Sequence, residues 1–353
     1  MTTQQKTAEP ERRSTGARRA WRHRAVRAAA RPGPWRRGRV LAALAVLLGL
    51  VLLLHARIPN GGTGNLGSLV ATLLPWFGLA VPPLLVGALV RRSATAVVAL
   101  LLPVAVWLNL FGGLLVDKSR PGADLTVAEQ NVNADNPDPD RTARALAAAR
   151  ADLLAVVELT PQSTGRYETE LAKAYPYHTV LGTVGLWSRL PLSDTRPIDV
   201  MDFGPLAATV PADRELAGNR ALRTTVATDR GPLTVYVAHL GSVRVMPAAG
   251  FWTASRNIGV QALGREVAAD PSQRVVLLGD LNGSTDDGAL APLTDRLRPV
   301  QEAAGAGFGF TWPAGFPVVR IDQVLVRGVR PTSARVLPDD GSDHLPVAAG
   351  LGW

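Results

Sequence analysis

The chain has 353 residues, with 38 Lys or Arg against 29 Asp or Glu for a net charge of +9, and it has no cysteine. That length allows about two domains, and the absence of cysteine excludes disulfides, thiolate zinc sites and cysteine nucleophiles. Such basicity suggests a nucleic-acid partner only if it is carried by the folded part, and it is not. Residues 1–40 hold 12 basic and 2 acidic side chains, residues 41–117 hold 3 and 1, and residues 118–353 hold 23 and 26.

In chain order, residues 1–39 form an Arg- and Ala-rich tail poor in large apolar side chains, for which disorder is expected. Residues 40–117 follow with three uncharged apolar runs, 40–56, 66–90 and 93–116. A bilayer core needs about 20 apolar residues per helix, so three spanning helices fit. Pro75, Pro82, Pro83 and Pro103 are tolerated in such helices. A soluble bundle is a poor alternative because the runs are apolar on every face. The cations of the tail, with Arg91 and Arg92 in the second short loop, place both on the cytoplasmic side by the positive-inside rule. Three crossings then export everything after residue 116. A twin-arginine signal built on Arg36 and Arg37 lacks the rest of that motif, and in either reading the C-terminal part is exported.

Residues 118–353 suit a single domain of mixed α/β pattern. Strands are expected at 124–132, 153–159, 183–188, 222–228, 233–239, 274–279, 322–327 and 332–337. Helices are expected at 139–150, 161–174 and 252–268. Asp229, Arg230, Gly231 and Pro232 read as a hairpin turn. Strand pairs mixed with helices favour layered α/β with mixed sheets over a doubly wound parallel sheet.

Polar groups punctuate these strands. Asn131 ends Leu-Thr-Val-Ala-Glu-Gln-Asn, Glu158 ends Leu-Leu-Ala-Val-Val-Glu, and His239 ends Val-Tyr-Val-Ala-His. Asp280 and Asn282 end Val-Val-Leu-Leu-Gly-Asp-Leu-Asn, Asp322 opens Ile-Asp-Gln-Val-Leu-Val, and Asp343 and His344 follow Gly341 and Ser342. A carboxylate after four apolar residues is costly to bury alone, so such groups need partners or a metal. Carboxylate and carboxamide oxygens are hard ligands suited to Mg²⁺, and acids with two His supply acid/base groups for attack of water on phosphorus. Each cluster alone is weak, since Asp at a strand end is commonly a turn former. His178 reads as a surface or packing residue. The run from Asp280 to Asp287 is not a calcium loop, because Thr285 and Ala291 stand where glycine and Glu are required. Walker, nucleophile-elbow and His-Glu-x-x-His motifs are absent.

In order, these clusters resemble the endonuclease/exonuclease/phosphatase superfamily. The matches are Asn131, Glu158, the turn Trp187-Ser188-Arg189-Leu190-Pro191-Leu192, His239, Gly279-Asp280-Leu281-Asn282, Ile321-Asp322 and Ser342-Asp343-His344. The resemblance implies a four-layer α/β sandwich, two mixed β-sheets flanked by helices, with the site at one end of the sheets. It implies that Asn131, Glu158 and Asp343 surround Mg²⁺, with Mn²⁺ as the alternative ion. Asp280 and Asn282 would position and activate water. His344, oriented by Asp322, and His239 would stabilise the transition state or protonate the leaving oxygen. Three N-terminal helices, together with Gly307-Phe308-Gly309-Phe310-Thr311-Trp312-Pro313 and Arg320-Ile321-Asp322, are similar to the VanJ-type glycopeptide-resistance membrane proteins. Gln323 and Leu240-Gly241 depart from that pattern and bear on substrate choice.

The superfamily's fold does not choose among phosphoesters. A nuclease gains affinity from Lys and Arg on phosphates, and a domain at −3 disfavours it unless Arg223, Arg244, Arg256 and Arg320 make a local patch. Only about seven residues run from Asp117 to Asp124, a reach of roughly 25 Å, which keeps the domain at the outer leaflet. The loops 243–252 and 305–317 are apolar, and their aromatics either suit a bilayer interface or pack the domain. The sequence therefore points to a membrane-bound hydrolase of a lipid-linked phosphate such as a polyprenyl diphosphate, partnered by the bilayer and by no obligate protein. An exported nuclease and a silent binding module are the alternatives.

Overall fold

The computed structural model describes residues 33, 35, 37–61, 64–201, 219–247 and 250–353, so the expected disordered tail lies almost wholly outside the described residues. The chain divides into two compact units, Met1–Leu52 with Phe77–Val106, and Leu53–Trp76 with Trp107–Trp353. Three helices, Arg39–Arg57, Leu66–Val90 and Ala94–Leu115, are long and apolar enough to cross a membrane, with mean hydropathies of 2.3, 2.0 and 2.2. They coincide with the three runs read from the sequence.

The regular α-helical parts of these spans are α1 (Arg39–Leu54), α2 (Leu66–Leu73), α3 (Val81–Val90) and α4 (Ala94–Phe111). In the first unit Ala42, Ala88 and Ala96 form the buried contact, since small side chains let apolar helices approach closely. Ser93 caps α4: its Oγ accepts from Ala96 N at 3.1 Å and donates to Arg37 O at 2.5 Å.

The second unit carries two six-stranded sheets. The first is ordered β13-β14-β1-β2-β4-β3, from β1 (Leu125–Asn131), β2 (Leu153–Val157), β3 (Tyr177–Leu181), β4 (Val184–Ser188), β13 (Arg330–Val336) and β14 (Val347–Gly352). The second is ordered β11-β12-β10-β7-β6-β5, from β5 (Leu192–Pro197), β6 (Ala221–Thr228), β7 (Gly231–Ala238), β10 (Val275–Asp280), β11 (Arg298–Pro299) and β12 (Asp322–Arg327). Each sheet has one parallel pair, β1 with β2 and β7 with β10, among antiparallel neighbours. Two short strands, β8 (Arg244–Met246) and β9 (Gly250–Trp252), pair separately. Helices α5 (Pro139–Ala148) and α6 (Thr164–Leu171) cover the first sheet, and α7 (Ala254–Ala269) covers the second. This is the four-layer sandwich expected from the sequence.

Strand alternation sorts the side chains into layers. In β1, Leu125 and Val127 enter the core between the sheets, while Ala128 faces the helices. In β10, Val276 and Leu278 face the gap between the sheets, whereas Val275 and Leu277 pack with Val260 and Leu263 of α7. Of the strands the sequence reading did not place, β3 and β5 are polar or exposed edges, and β14 is built from small residues.

Parts of the apolar helices, up to Trp76 of the second and from Trp107 of the third, belong to the second unit. Arg256 of α7 is fully buried, ion-paired to Asp287 at 2.8 Å, and donates to Ser68 Oγ of α2 at 3.2 Å. The β8–β9 hairpin is tied to the loop before α2, with Phe251 N donating to Gly64 O at 3.0 Å and Asn65 Nδ2 to Phe251 O at 2.8 Å. Removing one partner of a buried ion pair leaves an uncompensated charge, at a cost of about 3–5 kcal/mol. Arg256→Met is therefore expected to lower the melting temperature of the full-length protein markedly, and unchanged melting would show that the pair is not essential.

Candidate active site

The polar groups assemble where the apolar layer between the sheets runs out. In β1 the inward series Leu125, Val127 continues as Glu129 and Asn131, and in β7 the series Val235, Val237 continues as His239. In β10, Val276 and Leu278 lead to Asp280, while in antiparallel β12, Val326 and Val324 lead back to Asp322. Asp280 and Asp322 are direct cross-strand partners, both buried. All these residues therefore lie at one end of the sandwich. Glu158 (φ 68°) and Asn282 (φ 48°) turn the chain there through left-handed backbone, a conformation that clusters at functional sites.

Asp280 and Asp322 have partners. Asp280 accepts from Asn131 Nδ2 (3.1 Å), Asn282 N (2.8 Å) and Asn282 Nδ2 (3.2 Å). Asn282 Nδ2 also donates to Leu240 O at 3.0 Å. Asp322 holds His344 Nδ1 through both oxygens, at 3.1 and 2.9 Å, which leaves Nε2 for a substrate. Gln130 Nε2 donates to His344 O at 2.9 Å, and Ser342 Oγ donates to Asn131 O at 2.7 Å, so the last motif is stitched to β1. Glu158 is half-buried, its Oε2 lying 4.0 Å from His239 Nε2. Asp343 is exposed at the rim beside His344. His178 is exposed and stacks on Trp187 at 5.9 Å, the packing role read for it.

The two histidines are driven apart electrically. Burial would lower His344, but the Asp322 carboxylate, aided by Asp280 and Asp343, overrides it and pushes the pKa up to about 10. His239 is held well below the usual value by burial, then by the Arg220 and His344 charges. Arg220 donates to His239 Nε2 at 2.8 Å, and a guanidinium only donates, so Nε2 accepts and the imidazole is neutral. The two rings are thus displaced in opposite directions, His344 toward its charged form and His239 toward its neutral one. Asp280 is raised to about 7 by burial and by Asp322, against His344, Asn282 and Asn131.

Two members escaped the sequence reading. Arg220 is buried and occupies the inward parity of β6, one step beyond Leu222, so alternation could have found it. Glu129 is wholly buried with both carboxylate oxygens unpartnered, and burial, Asp322 and Asp280 raise it well above the ordinary range. Of the four arginines that could make a local patch for nucleic acid, three are paired with acids. Arg223 binds Asp270 at 2.8 Å, Arg256 binds Asp287, and Arg320 binds Glu302.

Among the described residues, Asp280, Asp322 and His344 bring ligand atoms within 4.8 Å of one another. Buried carboxylates facing each other, with the Glu129 carboxyl close enough to feel both, repel and are eased by a hard divalent cation. The donor set therefore fits such an ion, with Asn131, Glu158, Asp343 and the carboxylates around Asp280 as its candidate holders.

The profile of the Endonuclease/Exonuclease/phosphatase family matches residues 109–344. The chain belongs to this family. Family members are hydrolases of phosphoester bonds. The fold is similar to that of D. rerio TDP2 complexed with a single-strand DNA product, with TM-score 0.52 and 19% identity over 65% of this chain and 99% of that one. It is also similar to an endonuclease/exonuclease/phosphatase from Bacteroides vulgatus, with TM-score 0.51 and 15% identity over 65% and 99%. A conserved protein of unknown function from Enterococcus faecalis V583 has TM-score 0.51 and 17% identity over 65% and 99%. No curated protein matches the chain in sequence.

The raised His344 has a stability consequence with a definite sign. Its ordinary pKa is about 6.5, so the stabilisation from Asp322 is full below that pH and is lost as pH rises through about 10. In chelator-treated protein, Asp322→Asn should lower the His344 titration midpoint seen by NMR and abolish this part of the stability profile. An unmoved midpoint would refute the pairing.

Proposed function

We propose that the protein is a membrane-anchored, Mg²⁺-dependent phosphoesterase with its catalytic domain outside the cytoplasm, hydrolysing a lipid-linked phosphate such as a polyprenyl diphosphate. The observation that carries this reading is the packing of the second apolar helix, Leu66–Val90, through Trp76 near its midpoint, onto the loop bordering His344. Trp76 Nε1 donates to Val318 O at 2.8 Å, and Trp76 stacks on Phe310 at 5.4 Å. The substrate is thereby met next to the segments that would enter a bilayer. The cations flanking the first helix and Arg91 with Arg92 support a cytoplasmic N-terminus.

Asn131, Glu158 and Asp343 would hold the ion, which when bound supplies Lewis-acid stabilisation of phosphoryl oxygens. Asp280, steadied by Asn282 and Asn131, accepts the proton of the attacking water. His344, protonated and oriented by Asp322, donates a proton to the leaving oxygen. His239 with Arg220 places a buried positive charge close to where phosphoryl charge develops. The likeness in motif to VanJ-type proteins supports a role in resistance to glycopeptide antibiotics. A nuclease is the second reading, and the pairing of Arg223, Arg256 and Arg320 with acids weighs against it.

The test uses the full-length protein in lipid nanodiscs with Mg²⁺, offered polyprenyl diphosphate and supercoiled DNA in separate reactions. Phosphate release without nicking is expected, with release abolished by chelation. Asp280→Asn and His344→Ala should each reduce the rate by about 10²–10⁴-fold, the usual scale for acid/base groups. Nicking without phosphate release would overturn the lipid reading.

A further inference from the structure

The aromatic loop after Gly305 divides into two parts with different environments. Phe308 and Phe310 are half-buried and stack on each other at 5.2 Å. Phe308 also meets Trp107 (6.1 Å) and Phe111 (5.8 Å) of α4, and Phe310 meets Trp76. These rings already have partners. Trp312 and Phe316, a few residues on, remain 40% and 73% exposed. The Trp312 ring lies 6.5 Å from the imidazole of His344.

Their exposure does not come from a loose loop. Val318 N donates to Trp312 O at 2.9 Å and Phe316 N to Pro313 O at 3.0 Å. Ala314 N donates to Asp343 O at 2.7 Å and Leu345 N to Thr311 O at 2.8 Å, clamping the loop directly to the His344 motif. Two large aromatic side chains are thus presented to solvent beside a catalytic group, at a hydrophobic cost that a bound apolar group would recover. Residues 303–319 carry no formal charge, so this wall offers nothing to a polyphosphate backbone.

We propose that Trp312 and Phe316 form the subsite for the apolar chain of the substrate, Trp312 taking the segment next to the phosphate and Phe316 the segment beyond it. This rests on the lipid-linked reading and adds the residues that set chain-length preference. A phosphate presented to His344 Nε2 places the first carbons of its ester chain against the Trp312 ring. The stacked Phe310, Phe308, Trp76, Trp107 and Phe111 continue the aromatic surface toward the apolar helices.

The experiment measures kcat and KM of the full-length protein in nanodiscs for dimethylallyl, farnesyl and undecaprenyl diphosphate. Wild type is compared with Phe316→Ser and Trp312→Leu, and thermal melting confirms that each variant is folded. For Phe316→Ser we expect KM for undecaprenyl diphosphate to rise roughly tenfold, the scale of a lost apolar pocket contact. Its kcat, and both constants for dimethylallyl diphosphate, should stay unchanged. Trp312→Leu should reduce the preference for farnesyl over dimethylallyl diphosphate as well. Equal changes for all three substrates, or none, overturn the subsite and leave the lipid-linked reading intact. A wild type that cleaves another phosphoester and no prenyl diphosphate overturns both.

Discussion

Asp280 and Asp322 face each other across an antiparallel strand pair at the end of a closed apolar core. Like charges directly opposite on a sheet destabilise it, and burial adds the cost of lost hydration. The surrounding side chains read as the substitute for that hydration. Three donors from Asn131 and Asn282 converge on Asp280, and the His344 imidazole sits on both oxygens of Asp322. What the carboxylates require in order to be buried is also what phosphoryl transfer uses: oriented donors, a held proton and a preference for cations. The left-handed backbone at Asn282 belongs to the same requirement, since it lets one residue offer both its main-chain and side-chain N–H to Asp280.

Much of this was legible in the sequence because the site interrupts a regular pattern. A run such as Val-Val-Leu-Leu-Gly-Asp-Leu-Asn announces both a buried strand and the point where the core ends, so β10 and Asp280 were visible together. The same held for β7 with His239 and β12 with Asp322. Strands lacking that contrast were hidden: β14 is Val-Ala-Ala-Gly-Leu-Gly, without β-branched bulk beyond its first residue, and β5 is a polar edge. Arg220 was hidden for another reason. Arginine is abundant in this chain, and one more before a strand carried no signal until its parity with Leu222 and its place against His239 were known. Glu129 stood in plain view, yet only the closed core reveals that its carboxyl has no partner.

Electrostatics reverses the first impression given by a net charge of +9. Three arginines of the folded part that could have met a polyanion are committed to specific acids: Arg223 to Asp270, Arg256 to Asp287, Arg320 to Glu302. Arg256 and Asp287 are wholly inaccessible, and such a pair returns little net stability against an apolar substitute. Its value lies in geometry. A guanidinium is a rigid planar fork, and this one reaches Asp287 on one side, Ser68 of α2 on another, and the main-chain carbonyl of Asn282 at 3.4 Å.

That last contact ties the apolar helices to the chemistry. Asn282 orients Asp280, and Arg256 holds Asn282 from behind while gripping the first turn of α2. On the other side of the site, the loop that clamps His344 through Asp343 and Leu345 is fastened by Trp76 to the residues that follow α2. Both Asp280 and His344 are therefore braced against the same stretch of chain. A phosphoesterase built for soluble substrates has no need of this arrangement, since its site can rest on the sandwich alone. Here the last supports of the site are residues of the second apolar helix, Ser68 in its first turn and Trp76 near its midpoint, so that a helix long and apolar enough to cross a membrane also helps to shape the site.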